Sequence, residues 1–570
     1  MSVAVTNQIE NKKEEEMPYG VNELECQDEE LENYGLLLGD FVHCWPPYSP
    51  IMAWARNDGI CRSTIRNWDR LSIPGSKGFQ WRVIDGLTYF AIMETTPEEA
   101  AEREKVFRER IAPYMENWDE MWGKAIEEWR AVVKPFLEFD LERASDAQLY
   151  QFFRDYMDQV WFEMWMRHFE WMSAAYMLFV WFRTALEELT GITPADPLFK
   201  KIMAGFDNMM VKFNRELWGL ADRAKELGLE NVFLTTEDDE EVLRKLEGTD
   251  AGRKWFEEYR SWLKVRGWRC NRAEEWINNP SWIEKPSQGV PMLRQAITKG
   301  GVFAADLEFE RLVKERGEAE NELLAKISED KRWWFEKLMR CAQRAGSFSE
   351  DHTYYFDMMV MALGRHITQE LGKRFAKGGA IDEVDDIYMV MPDEMMKAAV
   401  SMERANLRPY AKPRREEWEK YMKLQPWELK PFIGDISKAG EWTKKDPLVQ
   451  IIAELPIVRP ELKADLYGSA SAAGVAEGTA RVIPDESHFK ELQPGEILVC
   501  TATMPTWTPL FNIAAGVVTD GGGNLSHAVI VGRECGLPVV AGTLEGTKKI
   551  KTGMRVRVDG DMCAVYILEQ

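Results

Sequence analysis

The sequence predicts a multi-domain chain in which a large, mainly α-helical domain is followed by a C-terminal α/β domain. Three observations predict it. From Thr96 to about Lys430 apolar residues return every three or four positions, the period of a helix with one buried face. After Leu466 glycine, valine and alanine become frequent, and short apolar runs alternate with turns. Between these tracts, residues 435–465 carry three prolines and little periodicity. A length of 570 residues suits three or four domains of ordinary size.

Taken in order, residues 1–35 are acidic and polar and predict a flexible tail. The mainly helical domain is expected over 36–435. It opens with a small α+β region at about 40–93, where Pro46, Pro47 and Pro50 mark irregular chain and Phe79–Ile92 is rich in strand-forming residues. Pro97-Glu98-Glu99 starts a helix behind a cap at Thr95 or Thr96, with acids where the macrodipole favours them. Helical text continues through Glu127–Phe139, Asp146–Leu189, Leu198–Leu227 and Glu308–Arg344, with breaks at Gly191–Pro197 and Asn278–Pro291. The most apolar stretch, Trp171–Phe182, is shorter than the roughly 18–20 residues that cross a bilayer, and reads as a buried helix. No repeat of fixed period points to a solenoid. The 23 tryptophans and 28 methionines serve either as helix-packing material or as the lining of a pocket for an aromatic ligand. Residues 436–465 read as a linker, and 466–570 as a compact α/β unit.

The formal net charge of −23 argues against nucleic acid or anionic membrane as a main partner. The eight cysteines are scattered without metal-ligand spacing, so free thiols in a reducing, cytoplasmic setting are expected. No residue is assigned as a metal ligand.

The chemistry concentrates in Val517–Thr543. An apolar strand runs into Gly521-Gly522-Gly523, and Ser526-His527 opens a helical segment. Glycines leave backbone amides uncovered, and amides at a helix start seat an anion. An imidazole placed there is suited to take a phosphoryl group, with Ser526 and the glycine amides on its oxygens and Arg533 pairing with it. A capping or core histidine is the alternative that these residues leave open.

This stretch resembles the mobile phosphohistidine domain of the phosphoenolpyruvate-utilising enzymes. The likeness runs through Gly474–Gly478, Pro494–Val499, Gly522–Ala528, Gly532–Val540 and Val558-Asp559-Gly560. Asn524-Leu525 and Gly532 depart from the commoner text. The resemblance implies that His527 is the phosphorylated residue and Ser526 the hydroxyl residue before it. It also implies a charging domain. Neither a phosphoenolpyruvate-binding barrel nor a nucleotide-grasp domain is legible in this chain, so ATP and Mg2+ are expected on a separate ATP-binding subunit. The order of a helical domain before the carrier is similar to rifampicin phosphotransferase. It is more similar still to the phosphohistidine-bearing subunit of phenylphosphate synthase, a likeness to which Gly364–Glu394 adds.

An acceptor hydroxyl needs a base. Ser349–Asp357 (SEDHTYYFD) places Asp351, His352, Tyr354, Tyr355 and Asp357 within two helical turns, with His352 and Tyr355 on one face and Asp351 and Tyr355 on one face. His352 is the candidate base, against the alternative of a helix-start cap with a satisfied histidine. His168, Arg365 and His366 are further substrate- or phosphate-binding candidates. His43 is placed at the pocket mouth and His488 at the surface, and Asp382–Asp386 reads as turn and cap chemistry. The function expected is a phosphotransferase passing a phosphoryl group from ATP through His527 to a small aromatic hydroxyl such as phenol. A phosphocarrier or regulatory protein without acceptor chemistry is the alternative, as is another alcohol, antibiotic or carboxylate as acceptor.

Overall fold

A computed structural model describes residues 35–569 apart from 42, 85, 195, 271–274, 400–403, 431, 447–448, 450, 452–455 and 505–506. The tail expected over 1–35 thus lies, up to residue 34, outside the described residues. The α+β region is a four-stranded antiparallel sheet packed on one helix. Its parts are β1 (Leu36–Gly39), α1 (Pro50–Leu71), β2 (Ser76–Ile84), β3 (Leu87–Glu94) and, returning from far along the chain, β4 (Phe432–Gly434). The strand order is β2-β3-β1-β4. Both faces of β2 and β3 are covered, which is why Phe79–Ile92 is apolar almost throughout.

The helical body begins with α2 (Pro97–Leu137), whose cap is Thr96: its side chain accepts from the Glu99 amide, and Glu99 accepts from the Thr96 amide. Three elements position the site. The apolar helix α3 (Phe162–Thr190) follows a π-helical turn at Met157–Trp161. Helix α4 (Glu329–His352) lies along α3 and runs through a second π-helical turn, Thr353–Met358, into α5 (Met359–Lys377). Trp171, Tyr176 and Phe179 of α3 are buried against this body, and no helix among the described residues is long and apolar enough to cross a membrane. Most tryptophans are packing material: Trp129, Trp161, Trp255 and Trp276 are fully buried. A second apolar core gathers around Trp255, Tyr259 and Trp282.

The segment read as a linker is in part fixed to the body. Trp442 is buried and donates to Glu94, and Asp446 accepts from the indole of Trp68 at 2.6 Å. The C-terminal sheet starts at Leu466 and comprises β5 (Leu466–Tyr467), β6 (Ala470–Ala472), β7 (Val475–Val482), β8 (Ile497–Cys500), β9 (Gly516–Thr519), β10 (Val539–Ala541), β11 (Arg555–Asp559) and β12 (Ala564–Glu569). Its order is β5-β12-β11-β7-β8-β9-β10-β6, with β7 through β10 parallel to one another. Helix α6 (His527–Cys535) crosses from β9 to β10. A methyl group on Gly532 would come within 2.3 Å of Val539, so this departure from the commoner text is the close approach of α6 to the sheet.

The C-terminal unit is seated on the helical body. Lys200 donates to the Gly560 carbonyl at 2.5 Å, the Gly205 amide donates to Glu534 at 3.2 Å, and Ser349 donates to the Leu525 carbonyl at 3.0 Å.

Candidate functional site

The glycine turn is set by its backbone. Gly522 has φ +108, and a methyl group there would lie 2.8 Å from the Ser526 hydroxyl. Three hydroxyls hold the turn's carbonyls: Thr519 on Gly521, Ser469 on Gly522 and Ser526 on Gly523. Ser526 has extended geometry just before the helix, and His527 is the first residue of α6. Both nitrogens of His527 meet hydroxyls, Nδ1 that of Thr503 at 2.8 Å and Nε2 that of Thr508 at 3.3 Å. A neutral imidazole has one donor and one acceptor nitrogen, so one threonine accepts and the other donates. Burial, assisted by the charge of Arg269, lowers the His527 pKa to about 3. The ring is therefore neutral and nucleophilic across the physiological range.

His527 lines a cavity of about 280 Å3 whose walls come from both units. On the carrier side lie Thr503, Gly521–Gly523, Ser526 and His527; on the other lie His43, His168, His352 and Asp357. His168 comes from α3, His352 ends α4, and Asp357 follows five residues on within the π-helical turn. In a regular α-helix positions five apart diverge by about 140°; the wider turn brings the carboxylate back beneath the imidazole. His168 Nδ1 is 2.9 Å from Asp357 Oδ1, and His352 Nε2 is 3.9 Å from Asp357 Oδ2. The two imidazoles meet edge to face with centroids 4.6 Å apart. Burial, then His168, pushes the His352 pKa down to about 4. Nearby, burial would raise the Asp40 carboxyl, but His43 at 2.8 Å and Arg56 at 2.9 Å hold it well below the carboxylate range.

Other predicted residues stand elsewhere. Arg533 does not reach the cavity: its place on α6 turns it to the loop, where it donates to the carbonyl and side-chain oxygens of Asn524. It braces the loop before His527. The expected shared face of His352 and Tyr355 is undone by the π-helical turn. Tyr355 meets Met209 and Arg130, while Tyr354 takes a bond from Arg266. Asp351 accepts from the Met209 amide at 2.6 Å. Arg365 and His366 are held by Glu284, Arg365 also by the Trp276 carbonyl and His366 by Ser281, and neither lines the cavity. His488 pairs with Asp485 in its turn, and Asp386 caps the short helix after Glu383 as expected.

Four residues escaped the sequence reading. Thr503, in a loop, and Thr508, at the start of a short helix, are ordinary threonines some twenty positions before His527 and carry no signal. Arg269 is almost fully buried between the rings of Phe213 and Trp282, and its Nε and Nη1 make no hydrogen bond among the described residues. Glu350 lines the cavity, and burial, with Asp351 and Glu534, pushes its carboxyl up to about 8.

Comparison with known proteins finds relatives of both units. Residues 492–562 match the mobile domain of the PEP-utilising enzymes, and residues 167–350 match the fourth domain of rifampicin phosphotransferase. The chain is 29% identical to a chondramide synthase of Chondromyces crocatus over 94% of its own length and 14% of that protein's. It is 27% identical to an uncharacterized phosphotransferase of Bacillus subtilis, covering 65% of this chain and 43% of the relative. With the rifampicin phosphotransferase of Bacillus subtilis it shares 29% identity over 56% of this chain and 36% of the relative. The chain thus spans less than half the length of these relatives.

Proposed function

We propose that this chain, a member of the phosphoenolpyruvate-utilising enzyme family, is a phosphotransferase that carries a phosphoryl group on His527 and delivers it to a small hydroxyl compound in the shared cavity. One observation carries the reading: a neutral imidazole at a helix start and a His–His–Asp cluster face one chamber from two separate units. Charging would occur away from the helical body, at ATP and Mg2+ held by a nucleotide-grasp domain, which we place on a partner chain. Return to the seated position then closes the cavity and excludes water. In the transfer step the acceptor oxygen forms a bond to phosphorus and the N–P bond breaks. The electron pair returns to the ring nitrogen of His527, and the acceptor proton leaves through the cluster that contains His352. The start of α6 at His527 would seat the phosphoryl oxygens; the Gly521 amide donates to the Thr501 carbonyl, and the Ser526 hydroxyl, which donates to the Gly523 carbonyl, would have to turn to join them.

A volume of about 280 Å3 stands at the lower end of the roughly 300–1,000 Å3 of small-molecule sites and has room for a small acceptor. Trp81, Trp165 and Phe169 among the lining residues favour a flat ring. Phenol is our acceptor of choice. The chain, with its partner and ATP labelled at the β-phosphate, should acquire an acid-labile label that passes to phenol. Label that persists in His527→Ala sinks the proposal; label on His527 that never reaches phenol or another small alcohol reduces the chain to a phosphocarrier.

A further inference from the structure

His168, His352 and Asp357 each offer one ligand atom, the three atoms lying within 4.8 Å of one another. All three side chains are buried, and all three line the cavity. His352 Nδ1 is 2.8 Å from the carbonyl oxygen of Phe348. A carbonyl only accepts, so Nδ1 holds the ring proton and Nε2 presents its lone pair to the cluster. That lone pair faces a carboxylate oxygen across 3.9 Å, one acceptor opposite another. A backbone carbonyl fixing the far nitrogen of an imidazole is also the outer support that metal-bound histidines use.

The spacing suits an ion. A cation about 2.1 Å from His168 Nδ1 and Asp357 Oδ1 would subtend roughly 90° across their 2.9 Å separation; His352 Nε2 stands 3.9 Å from the other carboxylate oxygen, and a small turn of its ring would bring it to the same ion. His168 then takes the tautomer with its proton on Nε2, leaving Nδ1 free to bind. Two imidazoles and a carboxylate disfavour Mg2+, which prefers oxygen ligands and its own water, and favour a softer ion. Three protein ligands with a position left open are the pattern of a working site rather than a structural one.

We propose that His168, His352 and Asp357 hold a divalent cation of the Zn2+ class, with its open position turned into the cavity that His527 lines. Its role rests on the phosphotransfer reading; its binding does not. The cation would take the acceptor's hydroxyl oxygen, and the hydroxyl proton passes to bulk water before the carrier unit seats. The bound oxygen then attacks phosphorus as the N–P bond breaks and its electron pair returns to His527. His352 is in this account a ligand, and its proton-removing effect is exerted through the ion.

Zn2+ is titrated into the full chain, stripped with chelator and kept reduced, by calorimetry. One ion per chain is expected. Asp357→Asn and His352→Gln should each weaken it by no less than the about 10–100-fold that loss of an outer-shell partner costs. Near-ultraviolet circular dichroism checks that both variants keep the wild-type fold. A folded wild-type chain that takes no stoichiometric Zn2+, or two folded variants that bind as wild type does, overturns the site. Transfer from phosphorylated His527 to phenol should stop on chelation and resume with Zn2+. Full-rate transfer in the metal-free chain overturns the ion's role. Zn2+ binding without any transfer would instead refute the phosphotransfer reading and leave the site standing.

Discussion

Replacing Thr503 by valine removes one oxygen and nothing else of comparable size. That oxygen lies 2.8 Å from Nδ1 of His527, in a half-buried ring that lines the cavity between the two units. A buried polar atom left without its partner costs about 1–3 kcal/mol. Because the Thr503 contact helps fix which nitrogen carries the proton, the loss falls on reactivity. At about 1.4 kcal/mol per decade, the rate of phosphoryl transfer through His527 should drop between roughly fivefold and a hundredfold. The assay is rapid-quench measurement of acid-labile label on His527, first during charging and then on addition of phenol. Thr503→Ser keeps the hydroxyl and should behave nearly as wild type, while the valine variant should lose no more than the same about 1–3 kcal/mol in unfolding. Two results would refute the reasoning: charging and discharge at wild-type rates in the valine variant, or a serine variant as slow as valine.

Burial at the contact between the units, against the amides of Gly205 and Phe206 and the charges of Arg316 and Arg533, pushes the Glu534 carboxyl up to about 7. An exposed glutamate titrates near about 4.3, so seating takes up a proton between those values and the contact weakens as pH rises through about 7. The distance between dyes on the two units should show this slope, and Glu534→Gln should flatten it; an equal slope in the glutamine variant would exclude Glu534 as its source. Lys200, whose amine burial lowers to about 8, acts with the opposite sign at higher pH. Gly532→Ala forces a methyl group against Val539 and should cost about 1–3 kcal/mol in urea unfolding of the C-terminal unit. Arg269→Met keeps bulk between Phe213 and Trp282 but removes the cation felt at His527. The acid limb of charging at His527 should move to higher pH, since that charge helps hold the ring's pKa down, and an unchanged limb would show that Arg269 does not act on His527.

The parts of the site that are local in the chain were legible in the sequence. A strand, a glycine turn and a Ser-His helix start lie within a dozen residues, and together they place His527 at the end of the sheet. The His352 neighbourhood was legible only as composition. Its geometry depends on a π-helical turn, and pattern reading that assumes 3.6 residues per turn pairs His352 with Tyr355 instead of Asp357. Arg365 and His366 resembled a phosphate-binding pair because their partner, Glu284, comes from some eighty positions away. Trp442 shows the same limit within the stretch read as a linker. Short, aperiodic text conceals a buried anchor when the groove that receives it belongs to another element.

The π-helical turn at Thr353–Met358 also sets how this site can change. Removing one residue there sets His352 and Asp357 four apart in an ordinary helix, about 40° from each other, so the pair survives; restoring the ordinary pitch at full length parts them by about 140°. The pairing thus depends on one extra residue matched to one wide turn: a substitution that tightens the turn without removing a residue would dismantle the cluster and leave His527 untouched. The pitch of one helix therefore acts as an inherited selector: the carrier can be kept and its destination rewritten.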